Sequence, residues 1–294
     1  MRLALFFPST NVLRDATVQL THPPRSSRAG AICYALEEAA IHLANANPNV
    51  AAVITTTALA GAVSKEKGCV VFDEPKAAFY SLHNALVGAG SMALHCESRI
   101  HASARIALTA VIGKNVVIES GVTIGAHAVI EDFTIIGAET LIGPHVVIGG
   151  RGLQDTFVGG KNMIIEFAGG VRIGKRCEVL SAALIQRPYF SDYTEIGDDV
   201  KLGPGASVGH GCIIGRATCI GARAVLAGTA RIGSDVWVGP AAVISDGIEI
   251  GDRARVQLGS VVIRAVPAGE VVSGNFALPH SQNLRIHTRN RHDR

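Results

Sequence analysis

The chain has 294 residues, a formal net charge of +3, 48% hydrophobic residues, 17% charged residues and only 5% aromatic residues. That balance excludes disorder, which requires low hydrophobicity and high charge. Mean hydropathy is +0.32, yet Gly, Lys, Asp or Arg interrupts every apolar run before the roughly 18 residues needed to cross a bilayer. A soluble, cytoplasmic protein without a transmembrane segment is expected.

The opening MRLALFFPST has one Arg and a short apolar stretch ending at Pro8, too brief for the central region of a signal peptide, and it reads as a first strand. Residues 1–96 then read as a small α/β domain. NVAAVIT and GCVVF have strand character, and AICYALEEAAIHLAN and EPKAAFYSLHNAL mix helix and strand signals.

From Ile100 the pattern changes. An aliphatic residue returns at every sixth position, from Ile100, Ile106 and Ile112 through to Ile148, again at Ile173, Val179 and Ile185, and finally from Ile196 through His210's neighbourhood to Val262. Glycine follows it repeatedly, as at Gly125, Gly143, Gly209, Gly221 and Gly239. A period of six is neither helical nor that of a plain strand. A triangular coil satisfies it: each flat face is a short strand, the aliphatic residue points inward, and small residues let the chain turn at the corners. Residues 97–265 are assigned to this prism and residues 266–294 to a basic C-terminal extension.

Two segments leave the repeat, roughly 149–172 and 186–195. Insertions in a solenoid loop outward and commonly build binding surface, so substrate contacts are expected there. The six cysteines form no CxxC pair and read as small buried hydrophobes. Basic residues are dispersed until the tail, so nucleic-acid binding is not expected. Among the eleven histidines, His101, His127 and His145 read as solvated side chains, and no His/Cys/Asp cluster has metal-ligand spacing.

The hexapeptide signature resembles that of parallel β-helix proteins, and a left-handed parallel β-helix is what the family resemblance below implies. The order of small α/β domain, hexapeptide prism with two excursions, and tail resembles the UDP-3-O-acylglucosamine N-acyltransferases of lipid A synthesis, the LpxD family. The most specific match is SVGHGCIIGRATCIGARAVLAG, similar to the family's run around its catalytic histidine; VVSGNFALPHSQNLR resembles its exit from the prism. The resemblance implies that His210 is the catalytic base and Gly228 a backbone N–H donor. It also implies a homotrimer with active sites between neighbouring prisms, an acyl carrier protein thioester as donor, and a nucleotide-linked amino sugar as acceptor. No bound cofactor is expected.

The chemistry fits those residues. An amine attacking a thioester must lose a proton, which an imidazole accepts near neutral pH. The oxyanion that forms needs a positioned donor, and an unshielded glycine N–H serves. Gly228 follows His210 by one coil of the repeat, so it sits directly above it.

The sequence also departs from the family. The stretch matching its uracil-binding motif is YALEEAA, where Tyr34 keeps an aromatic but Glu37 and Ala40 replace the other two residues. Gly203 and Pro204 stand where an Asp-Asn pair precedes the catalytic histidine, and Gly247 stands beside Asp246 where a second histidine falls. These departures concern the acceptor and point to the same reaction on an altered substrate. Asp192 and Asp246 are candidates for polar contacts to it, and Tyr189 and Phe190, with Tyr193, for a lid or acyl-chain wall. Arg285 in the basic tail is a candidate for steering an acidic carrier protein. The rival reading is a coenzyme A-dependent acetyl- or short-acyl-transferase acting on a different nucleotide amino sugar.

Overall fold

The computed structural model describes residues 1–92, 94, 97–153, 155–158 and 160–274; Cys96, Arg285 and the rest of the tail from 275 lie outside the described residues.

The N-terminal segment builds a sheet of five strands, β1 (Val12–Arg14), β2 (Leu20–Thr21), β3 (Ala31–Tyr34), β4 (Val50–Thr55) and β5 (Gly68–Val71), in the order β1-β5-β4-β3-β2. All its pairings are parallel except β1 with β5. Helix α1 (Glu38–Ala46) and helix α2 (Pro75–Gly88), which opens on a proline suited to a first helical turn, cover it. Successive residues of β3 and β4 point to opposite faces. Ile32 and Ile54 pack with Phe79 and Leu82 of α2, while Cys33 and Val53 pack with Ile41 and Ala44 of α1.

The first residues are not a strand. Leu3–Leu5 and Ser9–Asn11 form single 3-10 turns. The terminal ammonium group donates to the Val18 carbonyl at 2.6 Å, and Leu3 and Phe7, four residues apart, are both buried. Helical spacing of two apolar anchors, followed by Pro8, overrides the strand character of the string.

The rest is a three-sided, left-handed parallel β-helix. Among the described residues its faces carry eight, nine and eight parallel strands. Register steps by one coil: Ser207 pairs with Val225, and Val225 with Val243. Inward Ile, Val and Leu side chains form one continuous core column running from Ile118 past Ile250. Cys177 and Cys212 fill inward places in that column, and burial pushes their thiols up to about 11 and about 12. The prism passes the expected boundary at 265. Val266 bridges to Ile250, and Val271–Val272 pairs in parallel with Arg255–Val256. One shortened turn still supplies inward valines, and Pro267 falls where the ladder needs no N–H.

The glycines that follow the inward aliphatics do not serve the turn by adopting positive φ. The left-handed residue lies two places later and is often not glycine, as at Asn115 (φ 54°) and Ala241 (φ 56°). Crowding between coils explains the glycines instead: a Cβ at Gly221 would lie 2.5 Å from Pro240 N. Gly221→Ala is therefore expected to cost about 1–3 kcal/mol, as overpacking does. Gly88→Ala, at the end of α2 with none of the described residues within 4 Å of the added carbon, should be neutral or stabilise by up to about 1 kcal/mol. Urea midpoints of the two variants check both signs.

Candidate active site

Both excursions leave the prism at one edge, between the face ending in Val261–Val262 and the face ending in Glu249–Ile250. The chain leaves the first of these faces after Val147–Gly150 and rejoins the next at Gly170–Ile173; one coil on, it leaves after Leu184–Gln186 and returns at Tyr193–Ile196. The N-terminal domain docks on this edge, because the excursions supply Ile165, Ala168 and Phe190 to its core.

Polar groups lock the docking. His83, on α2, is fully buried and bonds to the Glu166 carbonyl through Nε2 at 2.9 Å and to Thr21 Oγ1 through Nδ1 at 2.6 Å. A carbonyl only accepts, so Nε2 carries the proton and Nδ1 accepts from the hydroxyl. Burial pulls this imidazole down to about 4. Asn84 completes the clamp, donating to the Ile164 carbonyl at 2.8 Å and accepting from Glu166 N–H at 3.0 Å. In the second excursion, Ser191 Oγ donates to the Met92 carbonyl at 2.7 Å, and Asp192 Oδ2 meets His22 Nε2 at 2.6 Å.

His210 occupies the same edge one coil further along, in the turn after Ser207–Val208. Gly211 follows it with φ 68°, its N–H held by Thr194 Oγ1 at 2.8 Å. The ring is half-buried, and Tyr189 lies edge-on to it with centroids 5.1 Å apart. Burial lowers the basicity of the imidazole, and the Asp246 carboxylate partly opposes that. Its Nδ1 is enclosed and has no hydrogen-bond partner among the described residues.

Gly228 and Asp246 continue the column. Thr229 N–H bonds to the His210 carbonyl at 2.8 Å and Gly247 N–H to the Gly228 carbonyl at 2.9 Å, stapling three successive turns. A Cβ on Gly228 would run into His210 Nε2 and would lie 2.8 Å from Asp246 Oδ1. Imidazole nitrogen and carboxylate oxygen thus converge over the glycine Cα without forming an ion pair with each other. Gly228 N–H has no acceptor, and Asp246 no hydrogen-bond or ion-pair partner, among the described residues.

A cavity of about 740 Å³ opens beside His210, walled by the prism and by the His22–Arg28 loop of the N-terminal domain. A second, of about 430 Å³, contains Tyr34, Glu37 and Ala40. Pro23, Tyr189 and Phe190 belong to both, so the aromatic pair is the partition between them.

The structure therefore brings His210, Gly228, Asp246 and Tyr189 together. Phe190 is a buried wall, tilted against His22 at 5.2 Å and edge-on to Phe79 at 6.1 Å, rather than a lid. Asp192 lines the main cavity but is engaged by His22. Tyr34 lies across the partition, and Arg285 is outside the described residues. His22, Arg25, Arg28 and Arg231 line the cavity as well. The only sequence signal for the first three was the turn-rich, basic string THPPRSSR between two strands. His127 and His145, on consecutive coils, stack at 5.1 Å. Among the described residues no group of three or more His, Cys, Asp or Glu could hold a metal ion.

The clamp at His83 carries a pH dependence. Its folded-state value lies below the unfolded value of 6.5, so its contribution is complete above pH 6.5 and is lost as pH falls toward 4, by up to about 3 kcal/mol. His83→Gln should be less stable than the parent at pH 7 but show a flatter dependence between pH 6.5 and 4; urea midpoints across that range measure it.

The bacterial transferase hexapeptide model (six repeats) matches residues 115–150 and 193–228, and the model for the hexapeptide repeat of succinyl-transferase matches 229–264. The matches pause over the two excursions. No curated protein matches the sequence significantly. Solved structures that resemble it include the UDP-N-acetylglucosamine acyltransferase from Campylobacter jejuni, 21% identical over 64% of this chain and 81% of that one, TM-score 0.41. LpxA from Acinetobacter baumannii is 26% identical over 67% and 76%, TM-score 0.39. The acetyltransferase domain of PglB from Neisseria gonorrhoeae is 15% identical over 84% and 98%, TM-score 0.20. None of these three is a UDP-3-O-acylglucosamine N-acyltransferase. The matched residues, 115–150 and 193–264, all lie within the prism, whose repeats are similar to those of bacterial hexapeptide transferases.

Proposed function

We propose that the protein is an N-acyltransferase that moves an acyl group from a carrier protein or coenzyme A thioester to the amino group of a nucleotide-linked glucosamine-type sugar. The observation that carries this reading is the convergence of His210 Nε2 and an unpaired Asp246 carboxylate over Gly228, whose N–H is free.

Each group has a task. An amino sugar reaches the site as an ammonium ion, which the Asp246 carboxylate attracts; a hydroxyl acceptor would have no need of that charge. The ammonium first loses one proton to solvent, and His210, whose basicity burial lowers, takes a second as the free amine nitrogen attacks the thioester carbonyl. The carbon–oxygen double bond opens to an oxyanion facing the Gly228 N–H. On collapse the carbon–sulfur bond breaks, and the departing thiolate takes a proton from the imidazolium. Asp246 also offsets the cost of charging a half-buried ring.

The outward column of one prism face supports assembly of copies. Val111, Val129 and Val147, then Leu184 and Ser207, then Val225, Val243 and Val261 stack along it in register. Elsewhere the outward residues form ion pairs, such as Arg172 with Glu195 at 3.3 Å and Lys201 with Glu178 at 3.0 Å. Packing along the valine face would build the homotrimer and place a neighbour beside the edge that bears His210. The alternative reading, a coenzyme A-dependent acetyl- or short-acyl-transferase on a different nucleotide amino sugar, draws on Glu37 and Ala40 beside Tyr34 in the second cavity. Comparing carrier protein and coenzyme A thioesters as donors separates the two.

His210→Ala should lower kcat by a factor of about 100 to 10,000 while the unfolding transition stays in place; turnover within tenfold of the parent would remove the base assignment. Asp246→Asn should raise KM for the amine acceptor about tenfold, the effect of roughly 1.4 kcal/mol. Because that change also withdraws a charge that favours the imidazolium, the acidic limb of the kcat/KM profile should move to lower pH.

A further inference from the structure

The main cavity has a second chemical end. Two carboxylates line it, Asp192 and Glu195, and both are taken: Asp192 by His22 at 2.6 Å, Glu195 by Arg172 at 3.3 Å. Three guanidinium groups line the same space, Arg25 and Arg28 from the N-terminal domain and Arg231 from the prism. Arg28 donates to the Ser191 carbonyl, a neutral acceptor. Arg25 and Arg231 have no acidic partner among the described residues. The cavity therefore holds uncompensated positive charge presented from two domains.

The loop that displays Arg25 and Arg28 is tied down by side-chain hydrogen bonds. Asn47 Nδ2 donates to the Pro24 and Ser26 carbonyls at 3.0 and 2.9 Å, and Asn49 Nδ2 to the Ser26 carbonyl at 3.2 Å. Ser26 is buried and its hydroxyl bonds to both the carbonyl and the N–H of Arg28, at 2.9 and 3.1 Å. Fixing a loop in advance reduces the ordering cost of binding, and planar guanidinium forks match phosphate oxygens.

We infer that Arg25, Arg28 and Arg231 form a phosphate-binding subsite that holds a phosphate or diphosphate of the substrate while its reacting group lies at His210. The inference rests on the acyl-transfer reading above for the direction in which the ligand extends, and it adds where the ligand's charge is held. Phosphate arrives from either of two sources, the diphosphate of a nucleotide sugar acceptor or the phosphopantetheine arm of a thioester donor.

The test is equilibrium binding, with inorganic pyrophosphate, uridine diphosphate and 4′-phosphopantetheine as probes, on the full chain and on Arg25→Ala, Arg231→Ala and Arg231→Lys. Arg176→Ala, whose arginine is paired with Asp199 at 2.7 Å on the exposed surface, is the control. At least tenfold weaker binding in both alanine variants, partial recovery in Arg231→Lys and no change in the control are expected. Weakening confined to uridine diphosphate and pyrophosphate assigns the subsite to the acceptor, and weakening confined to phosphopantetheine assigns it to the donor. No binding of any probe to the parent protein, or unchanged affinities in the alanine variants, overturns the subsite. The same measurements on His210→Ala keep this outcome separate from that of the catalytic assignment, because binding of the phosphate does not require turnover.

Discussion

Everything at the candidate site depends on the spacing of one coil upon the next. Parallel strands in register lie about 4.8 Å apart, so a residue meets its counterpart one coil later as a direct neighbour, as Ser207 meets Val225. The inward Ile, Val and Leu column holds that spacing without slippage. A turn that returns to the same edge on each coil then becomes a vertical row, and His210, Gly228 and Asp246 are such a row. Glycine in the middle is required by space, since a methyl group there would displace the imidazole or the carboxylate.

The prism alone would leave that row on an open surface. The two excursions leave from the same edge and carry the N-terminal domain with them, which half-buries His210 and encloses a cavity beside it. Burial lowers the basicity of the imidazole below that of a fully solvated ring and so favours its neutral form. Tyr189 ties the pieces together, touching His210 on one side and forming, with Phe190, the wall of the Tyr34 cavity on the other. His83 and Asn84 hold the first excursion against the N-terminal domain.

Much of this is legible in the sequence because periodicity converts position into contact. The inward column, the edge bearing His210, and the place of Gly228 one coil later all follow from a period of six. Local misreadings have local causes. The opening residues carry an apolar string that suits a strand, but Leu3 and Phe7 are spaced for a turn of helix. The prism continues to Val272 because one shortened turn breaks the count without breaking the stack. The glycines after each aliphatic answer to crowding from the next coil, which a single strand viewed alone does not reveal.

By itself, then, the sequence determined the prism, its core and the vertical alignment of His210 and Gly228, since these need only a repeat and a fixed rise per coil. Tertiary structure alone decided that Asp192 is consumed by His22, that Phe190 is a buried partition, and that Arg25 and Arg28 face Arg231 across one cavity. Those contacts join segments separated by well over a hundred positions through loops that follow no repeat. Their geometry comes from how two domains pack, which no local pattern encodes.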